Sequence, residues 1–345
     1  MRWRFFATAA MIARESRPAL DAIARMKKCT IILPCYKETE SLRVLLPEIR
    51  GELSARNYEG SIVLVNDFGS SDVALQLLCV EHGAHCLDVP FHMGHQEAIL
   101  YGLRKCLFET SAAAVAETPD AEQHFVTMDA DGQDDPKAIA DLIELAAPGT
   151  IAVAQRIGLR PEGWRFRLLH AAFKITFRTL CGFTPDFGNF AAFPASVATQ
   201  IARSPDCDTC YAMSLPLIAP INRLPIVRRS RIGGHSRIGF AGLFDHGLRL
   251  LLPHLRAISR RLAIYSAFLG GVSVLSAGVA IFLKLFIPSR AFPNWATLIT
   301  IGALIICLQL ITTCAVLFLF TSVSRQVSVL ARMSHLIRPP SSTLR

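Results

Sequence analysis

Asp129-Ala130-Asp131-Gly132-Gln133 sets two carboxylates two residues apart, directly after His124-Phe125-Val126-Thr127-Met128, an apolar run that reads as a buried strand entering a loop. On extended chain, residues i and i+2 point to the same side, so both carboxylates can face one hard divalent cation. Asp129, Asp131 and the Gln133 amide are the oxygen ligands such a cation requires, with open positions left for the oxygens of a diphosphate. The expected chemistry is activation of a nucleotide-linked substrate with Mg²⁺ or Mn²⁺.

For that loop to be a site, a sheet must carry it to an open edge. Between residues 29 and 155, apolar runs alternate with stretches of helical spacing, the pattern of a doubly wound α/β layer. Cys29–Pro34, Ser61–Asn66, His124–Met128 and Thr150–Ala154 read as strands; Glu40–Arg56, Ser71–His82 and Gln96–Phe108 read as helices. Ligands of such sheets bind at the carboxyl ends of the strands. Four polar segments fall there: Cys35-Tyr36-Lys37-Glu38, the run from Asn66 to Asp72, His92-Met93-Gly94-His95-Gln96, and the acidic loop. No G-x-G-x-x-G follows a strand and no G-x-x-x-x-G-K-S/T occurs, so phosphate is expected on metal and arginine.

The remaining length is of another kind. Of 345 residues 52% are hydrophobic, and the excess gathers near the C-terminus. Ile264–Leu283 and Trp295–Phe320 are uncharged apolar runs long enough to cross a bilayer, joined by a short link around Pro288 and Pro293. After Asp208 the only acidic residue is Asp245, while arginines crowd both flanks of the hairpin, so both flanks are expected in the cytoplasm. The net charge of +9 is then a membrane-surface signal, and no nucleic-acid recognition module accompanies it. Ten cysteines scattered through the elements, with Cys207-Asp208-Thr209-Cys210 the single C-x-x-C, read as free thiols in a reducing compartment.

Taken together these segments resemble family 2 glycosyltransferases, in particular the membrane-anchored branch that moves a sugar from a nucleotide donor to polyprenyl phosphate, such as dolichyl-phosphate mannose synthases and bactoprenol glucosyltransferases. Ile32-Leu33-Pro34-Cys35-Tyr36-Lys37-Glu38 is similar to the family's P-x-Y-N-E opening, and Asn66-Asp67-Phe68-Gly69-Ser70-Ser71-Asp72 to its D-D-G-S-x-D base-binding loop. Met93-Gly94-His95-Gln96-Glu97-Ala98, on to Gly102, resembles a helix start of the family, and the acidic loop through Asp134-Asp135-Pro136 resembles its D-A-D-x-Q-x-P metal motif. Ala154-Gln155-Arg156 resembles a G-x-R segment, Arg165-Phe166-Arg167 stands where a second arginine is expected, and Arg231-Ile232-Gly233-Gly234-His235-Ser236-Arg237 resembles R-x-x-G-x-S-K.

The resemblance implies a GT-A-like catalytic domain over residues 29–210, after an N-terminal extension at 1–28. A basic membrane-proximal segment with an interfacial helix follows at 211–262, then transmembrane helices at 263–287 and 294–321 and a basic tail at 322–345. It implies nucleotide-sugar contacts from Pro34, Tyr36, Glu38, Asn66, Asp67, Gly94 and Asp129, and a metal on Asp129, Asp131 and Gln133. Acceptor phosphate is expected on Arg156, Arg167, Arg231, Ser236 and Arg237, and catalysis on Asp131, Arg156, Asp186 and Asn189. The partners implied are a UDP- or GDP-linked sugar, polyprenyl phosphate and the cytoplasmic membrane, with both termini and the catalytic domain in the cytoplasm; self-association of the hairpins stays open.

Four departures from the family pattern stand out. Asn66 replaces the first aspartate of the base loop, Lys37 replaces an asparagine of the opening segment and His92 replaces another asparagine, all three bearing on the donor's base and sugar; Asn189, which bears on mechanism, stands where many members of the family carry a carboxylate given a catalytic role. Asparagine takes no proton at neutral pH. A phosphate monoester, with a second pKa near 6, arrives ionised and needs no base, whereas a sugar hydroxyl does. The expectation is therefore an inverting transferase with a phosphate acceptor. The alternatives are transfer to a glycan or lipid hydroxyl, with Asp186 as base, and a catalytically silent nucleotide-sugar-binding module.

Overall fold

The computed structural model describes residues 27–68, 71–111, 123–157, 164–232, 247–286 and 295–337. These fall into two compact units, one of Met1–Gly163 with Pro185–Leu250, the other of Trp164–Thr184 with Leu251–Arg345.

The first unit is built on a seven-stranded sheet of β1 (Lys28–Cys35), β2 (Glu59–Asn66), β3 (His85–Asp88), β4 (Gln123–Thr127), β5 (Ile151–Ile157), β6 (Phe187–Pro194) and β7 (Ile221–Val227), in the order β3-β2-β1-β4-β6-β5-β7. From β3 to β4 all pairings are parallel; β6 runs antiparallel to both β4 and β5, and β7 pairs parallel with β5. The α/β class and the strands read before β5 are borne out, but the sheet is mixed rather than purely doubly wound. Nor does it end at residue 210: β7 matches β5 along all its length, so the opening part of the expected membrane-proximal segment is sheet edge. Its exposure alternates, as an edge strand with one open face requires, and Pro225 is tolerated at such an edge.

Helices α1 (Thr39–Ala55), α2 (Val73–Glu81), α3 (His95–Ser111) and α4 (Ala138–Leu145) follow β1, β2, β3 and β4. Leu42, Leu45, Leu46, Ile49 and Leu53 recur at helical spacing and form the buried stripe of α1. Asp72 caps α2, its side chain accepting from Ala74 N and Leu75 N. On α3 a Cβ at Gly102 would lie 2.6 Å from Val65 Cγ2 and 2.9 Å from Ile32 Cγ2, so the glycine lets the helix lie close on the sheet.

After α5 (Trp164–Cys181), which belongs to the second unit, the first unit is completed by α6 (Ala195–Arg203), α7 (Pro205–Thr209) and α8 (Tyr211–Ile218). Cys207 and Cys210 are buried free thiols, as expected.

The second unit joins α5 to α9 (Leu255–Phe286) and α10 (Trp295–Ile337). Phe177 of α5 packs edge-on against Phe183, with ring centroids 5.2 Å apart, and the Thr179 carbonyl accepts from Arg261 Nη1 and Tyr265 OH, both at 3.4 Å. Two helical segments, Gly247–Phe286 and Thr297–Val316, are long and apolar enough to cross a membrane, with mean hydropathies of 2.0 and 2.3. Large side chains such as Phe268, Leu275, Leu304 and Leu308 point outward, as lipid-facing residues do. The helices outrun the expected spans, since α9 starts at Leu255 and α10 continues to Ile337, into the expected tail. The link at 287–294, residues 1–26, the final residues 338–345, and 240–246 of the expected interfacial helix lie outside the described residues.

Candidate active site

The carboxyl ends of β1, β2, β3 and β4 open on one edge of the first unit, where crossover sheets bind ligands. Asp129 and Asp131 leave β4 there, both buried. Asp129 Oδ1 lies 2.7 Å from His95 Nε2 and accepts from Asn189 Nδ2 at 3.0 Å; Oδ2 faces Arg228 Nη2 at 3.4 Å and Arg156 Nη2 at 3.9 Å. Its backbone N donates to Asp134 Oδ2 at 3.1 Å, which folds the loop back on itself. Asp131 Oδ1 takes the Gln133 N–H at 3.0 Å, and Oδ2 takes Arg231 Nη2 and Nε at 2.8 and 3.2 Å.

Burial alone would raise the Asp129 carboxyl, but His95, Arg156 and the Asn189 amide hold it well below the carboxylate range. Asp134 moves the other way, pushed up by burial and by the Asp129 charge. His95 is raised, because Asp129 and Glu38 outweigh the desolvation of its ring. Glu38 is also raised, first by burial and then by Asp131, with His95 and Arg231 opposing.

The segment after β7 lies across the acidic loop as a strap. Arg229 N donates to the Gln133 carbonyl at 2.9 Å and Ile232 N to the Asp131 carbonyl at 3.2 Å. Gly132, at φ +76, makes this fit possible, since a Cβ there would run into the Ile232 side chain. Arg228 thereby reaches Asp129, Arg231 reaches Asp131, and Arg229 turns outward to Glu48 on α1. Among the described residues no three His, Cys, Asp or Glu side chains gather closely enough to form an all-protein metal cage. The two carboxylates are of the oxygen type that a hard cation sharing its shell with substrate phosphate takes, and arginines supply counter-charge at both of them, while Gln133 meets Asp131 and the strap through its backbone.

Tyr36 and Asp67, both expected on the nucleotide, have protein partners. Tyr36 stacks on His92, centroids 4.6 Å apart, and meets Phe68 edge-on at 6.0 Å; Lys37, at φ +58, lies over the Phe68 ring at 4.6 Å. Asp67 is turned to another task. Its carboxylate takes Met93 N at 2.8 Å and Gly94 N at 3.0 Å and lies 3.0 Å from His92 Nδ1, so it builds the loop before α3. Asn66 Nδ2 donates to Asp88 Oδ1 at 2.7 Å, a partner outside every motif read from the sequence. Pro34 is a buried β1 residue and Gly94 opens α3 with φ +100.

Arg156, expected on the acceptor phosphate, lies in β5, and a Cβ at Gly188 would strike its guanidinium, so the glycine of β6 makes room for it. Asp186 accepts from Gln155 Nε2 at 2.7 Å and from Arg223 Nε at 3.3 Å, apart from the acidic pair that Asn189 joins. Arg167 falls on α5 in the second unit, and Ser236 and Arg237 lie outside the described residues. His95 and Arg228 touch the acidic pair without having been assigned to it from sequence; His95 lay in plain view in the Gly94-His95-Gln96 motif, whereas Arg228 depends on β7, whose mixed polar pattern hides it.

A nucleotide-sugar site of the polyprenyl-phosphate transferase kind is what the motifs resemble, and the relatives found are of that class. They are undecaprenyl-phosphate 4-deoxy-4-formamido-L-arabinose transferases. One from Pseudomonas fluorescens strain Pf0-1 is 24% identical over 270 residues, 74% of this chain and 73% of its own. Another, from strain SBW25, is 32% identical over 152 residues, and there the chain spans only 40% of the relative's length. No family model matches. Solved structures similar to the chain include glucosyl-3-phosphoglycerate synthase from Mycobacterium tuberculosis, 17% identical over 67% of this chain and 80% of that one, with TM-score 0.43. Mannosyl-3-phosphoglycerate synthase from Rubrobacter xylanophilus is 18% identical over 73% and 77%, with TM-score 0.42.

Proposed function

We propose that the protein is an inverting glycosyltransferase of the GT-A type that moves a sugar from a UDP- or GDP-linked donor to polyprenyl phosphate, working at the cytoplasmic face of a membrane that its apolar hairpin crosses. The observation that carries this is the meeting of the Asp129–Asp131 pair with Arg156, Arg228 and Arg231, a site with charges to hold phosphate on both sides of a sugar. The relatives' transfer to undecaprenyl phosphate supports the acceptor.

Asp129 and Asp131, with Gln133, would hold Mg²⁺ or Mn²⁺, which when bound supplies charge neutralisation at the leaving diphosphate. The arginines orient the acceptor phosphate, already ionised at neutral pH. One of its oxygens bonds to the anomeric carbon from the face opposite the diphosphate as the carbon–oxygen bond to that diphosphate breaks. Asn189 gives its N–H to Asp129 and so steadies the acidic pair, a task that requires no base at this position.

Membranes containing the protein, incubated with polyprenyl phosphate, Mg²⁺ or Mn²⁺ and a panel of labelled UDP- and GDP-sugars, should yield a labelled, mild-acid-labile lipid that Asp131→Ala abolishes. Nucleotide binding without a lipid product from any donor would overturn the reading and point to a binding module.

A further inference from the structure

Cys35, Asn66 and Asp88 share one row across β1, β2 and β3, at the sheet's carboxyl edge. Immediately beyond that row stand the rings of Tyr36, Phe68 and His92. A nucleobase entering here finds aromatic faces to stack on, and a polar row to meet its edge.

Which group reads that edge follows from what is already committed. Asp67 accepts from Met93 N and Gly94 N and faces His92, so its carboxylate is committed to the loop before α3. Asn66 gives its N–H to Asp88 at 2.7 Å, and its oxygen receives Phe68 N at 3.3 Å. Asp88 is held in place by Asn66 on Oδ1 and by Ser71 Oγ on Oδ2 at 3.0 Å. Gln76 Nε2 lies 3.5 Å from that second oxygen. Cys86 Sγ lies 4.0 Å from the first oxygen, so among the described residues only Asn66 and Ser71 hold Asp88 at short range, whereas Asp67 has three contacts within 3.0 Å. The long Gln76 and Cys86 contacts are weak enough to yield to a stronger donor, and a carboxylate can only accept. The negative charge of this row thus sits on β3, with an amide beside it on β2. A carboxylate at position 66 would face Asp88 across 2.7 Å and repel it.

We infer that Asp88, oriented by Asn66, is the group that reads the hydrogen-bonding edge of the donor's base. The site therefore takes a nucleoside diphosphate whose base carries a ring N–H on that edge, uracil or guanine, in preference to cytosine or adenine, whose ring nitrogen there is unprotonated. This rests on the nucleotide-sugar reading above and adds the residue that makes the choice.

The test is calorimetric titration of the full-length protein in nanodiscs with UDP, GDP, CDP and ADP in the presence of Mn²⁺. Wild type should bind UDP or GDP about tenfold or more tighter than CDP and ADP, the range expected of one charge-assisted hydrogen bond. Asp88→Asn should erase that preference while leaving CDP binding unchanged, and Asn66→Asp should weaken all four. The double variant Asn66→Asp/Asp88→Asn, which returns one carboxylate and one amide to the row, should recover binding of the preferred nucleotide. It carries the test if Asp88→Asn alone does not fold. Discrimination kept in Asp88→Asn, or lost in the double variant, overturns the inference and leaves the nucleotide-sugar reading intact. A wild-type protein that binds none of the four overturns both.

Discussion

Arg229 grips Glu48 with two guanidinium nitrogens, Nη1 at 2.6 Å from Oε2 and Nη2 at 3.1 Å from Oε1. This bidentate pair ties the strap after β7 to α1, and the strap carries Arg228 and Arg231 onto Asp129 and Asp131. Both side chains are about a third exposed, 34% and 37%, so the pair adds little to global stability, at most about 1 kcal/mol. Its effect should instead be local. Arg229→Gln is expected to leave the thermal midpoint nearly unchanged while lowering kcat/KM for lipid glycosylation by about tenfold, since displacing a positioned arginine costs catalysis heavily. Exchanging the charges, Glu48→Arg with Arg229→Glu, should recover part of the loss; unchanged activity in Arg229→Gln would show that the strap holds itself without the pair.

Replacing Asp131 with alanine removes a carboxylate expected at the metal and leaves Arg231 without its partner at 2.8 Å. Transfer should fall by about a thousandfold or more, the scale of losing a group that stabilises developing charge. Metal-dependent nucleotide binding should weaken alongside it. Binding titrations with and without Mn²⁺ check the second point independently of turnover, and equal Mn²⁺ dependence in variant and wild type would remove Asp131 from the metal.

How far these contacts were legible follows from particular residues. β1, β2 and β4 were visible because a strand covered on both faces must be apolar throughout, and Ile31, Ile32, Leu33, Leu64 and Val126 are fully buried. β7 was not, because an open edge admits Arg223 and Pro225, and with it went the strap and Arg228. β3 has only four residues, none fully buried, and carries no periodic signal, so Asp88 stayed unseen although its partner Asn66 stood out as a departure. The motifs identified Asp129 and Asp131, but only long-range contacts reveal that His95, 34 residues earlier, reaches the same carboxylate.

Gly102 tests the close packing of α3. A methyl group there would meet Val65 and Ile32, β-branched residues with little freedom to turn aside. Gly102→Ala should destabilise by about 1–3 kcal/mol despite alanine's higher helix propensity. Denaturant unfolding of the detergent-solubilised protein measures this, and a neutral or stabilising result would mean that the helix rides farther from the sheet.

His124 predicts an acid-side loss of stability. It is buried on β4, and burial, reinforced by the charge of Lys27, lowers its pKa against a hydrogen bond to Ala146. The folded state therefore keeps the ring neutral while the unfolded chain, titrating near the usual value of about 6.5, takes up a proton first. Stability from this residue is complete above about pH 6.5 and declines as the pH falls below it. His124→Phe should flatten the dependence of the thermal midpoint on pH between about 6.5 and 5 relative to wild type; parallel curves for the two proteins would refute the assignment.

Asn189→Asp offers the sharpest test of the acceptor. The substitution installs the carboxylate that the resemblance to family 2 glycosyltransferases leads one to expect, but in this chain residue 189 faces Asp129 Oδ1 at 3.0 Å and donates to it. An aspartate loses the donor and sets two carboxylates in contact beneath the loop, which burial makes costly. If the acceptor is a phosphate that arrives ionised, a new base contributes nothing and only the repulsion remains, so lipid glycosylation should fall by about tenfold or more. Were the acceptor a hydroxyl, the added base would raise turnover, with the gain growing above the pH at which the new carboxylate ionises. Turnover of Asn189→Asp measured from pH 6 to 8 against wild type therefore separates the two acceptors by the sign of the change.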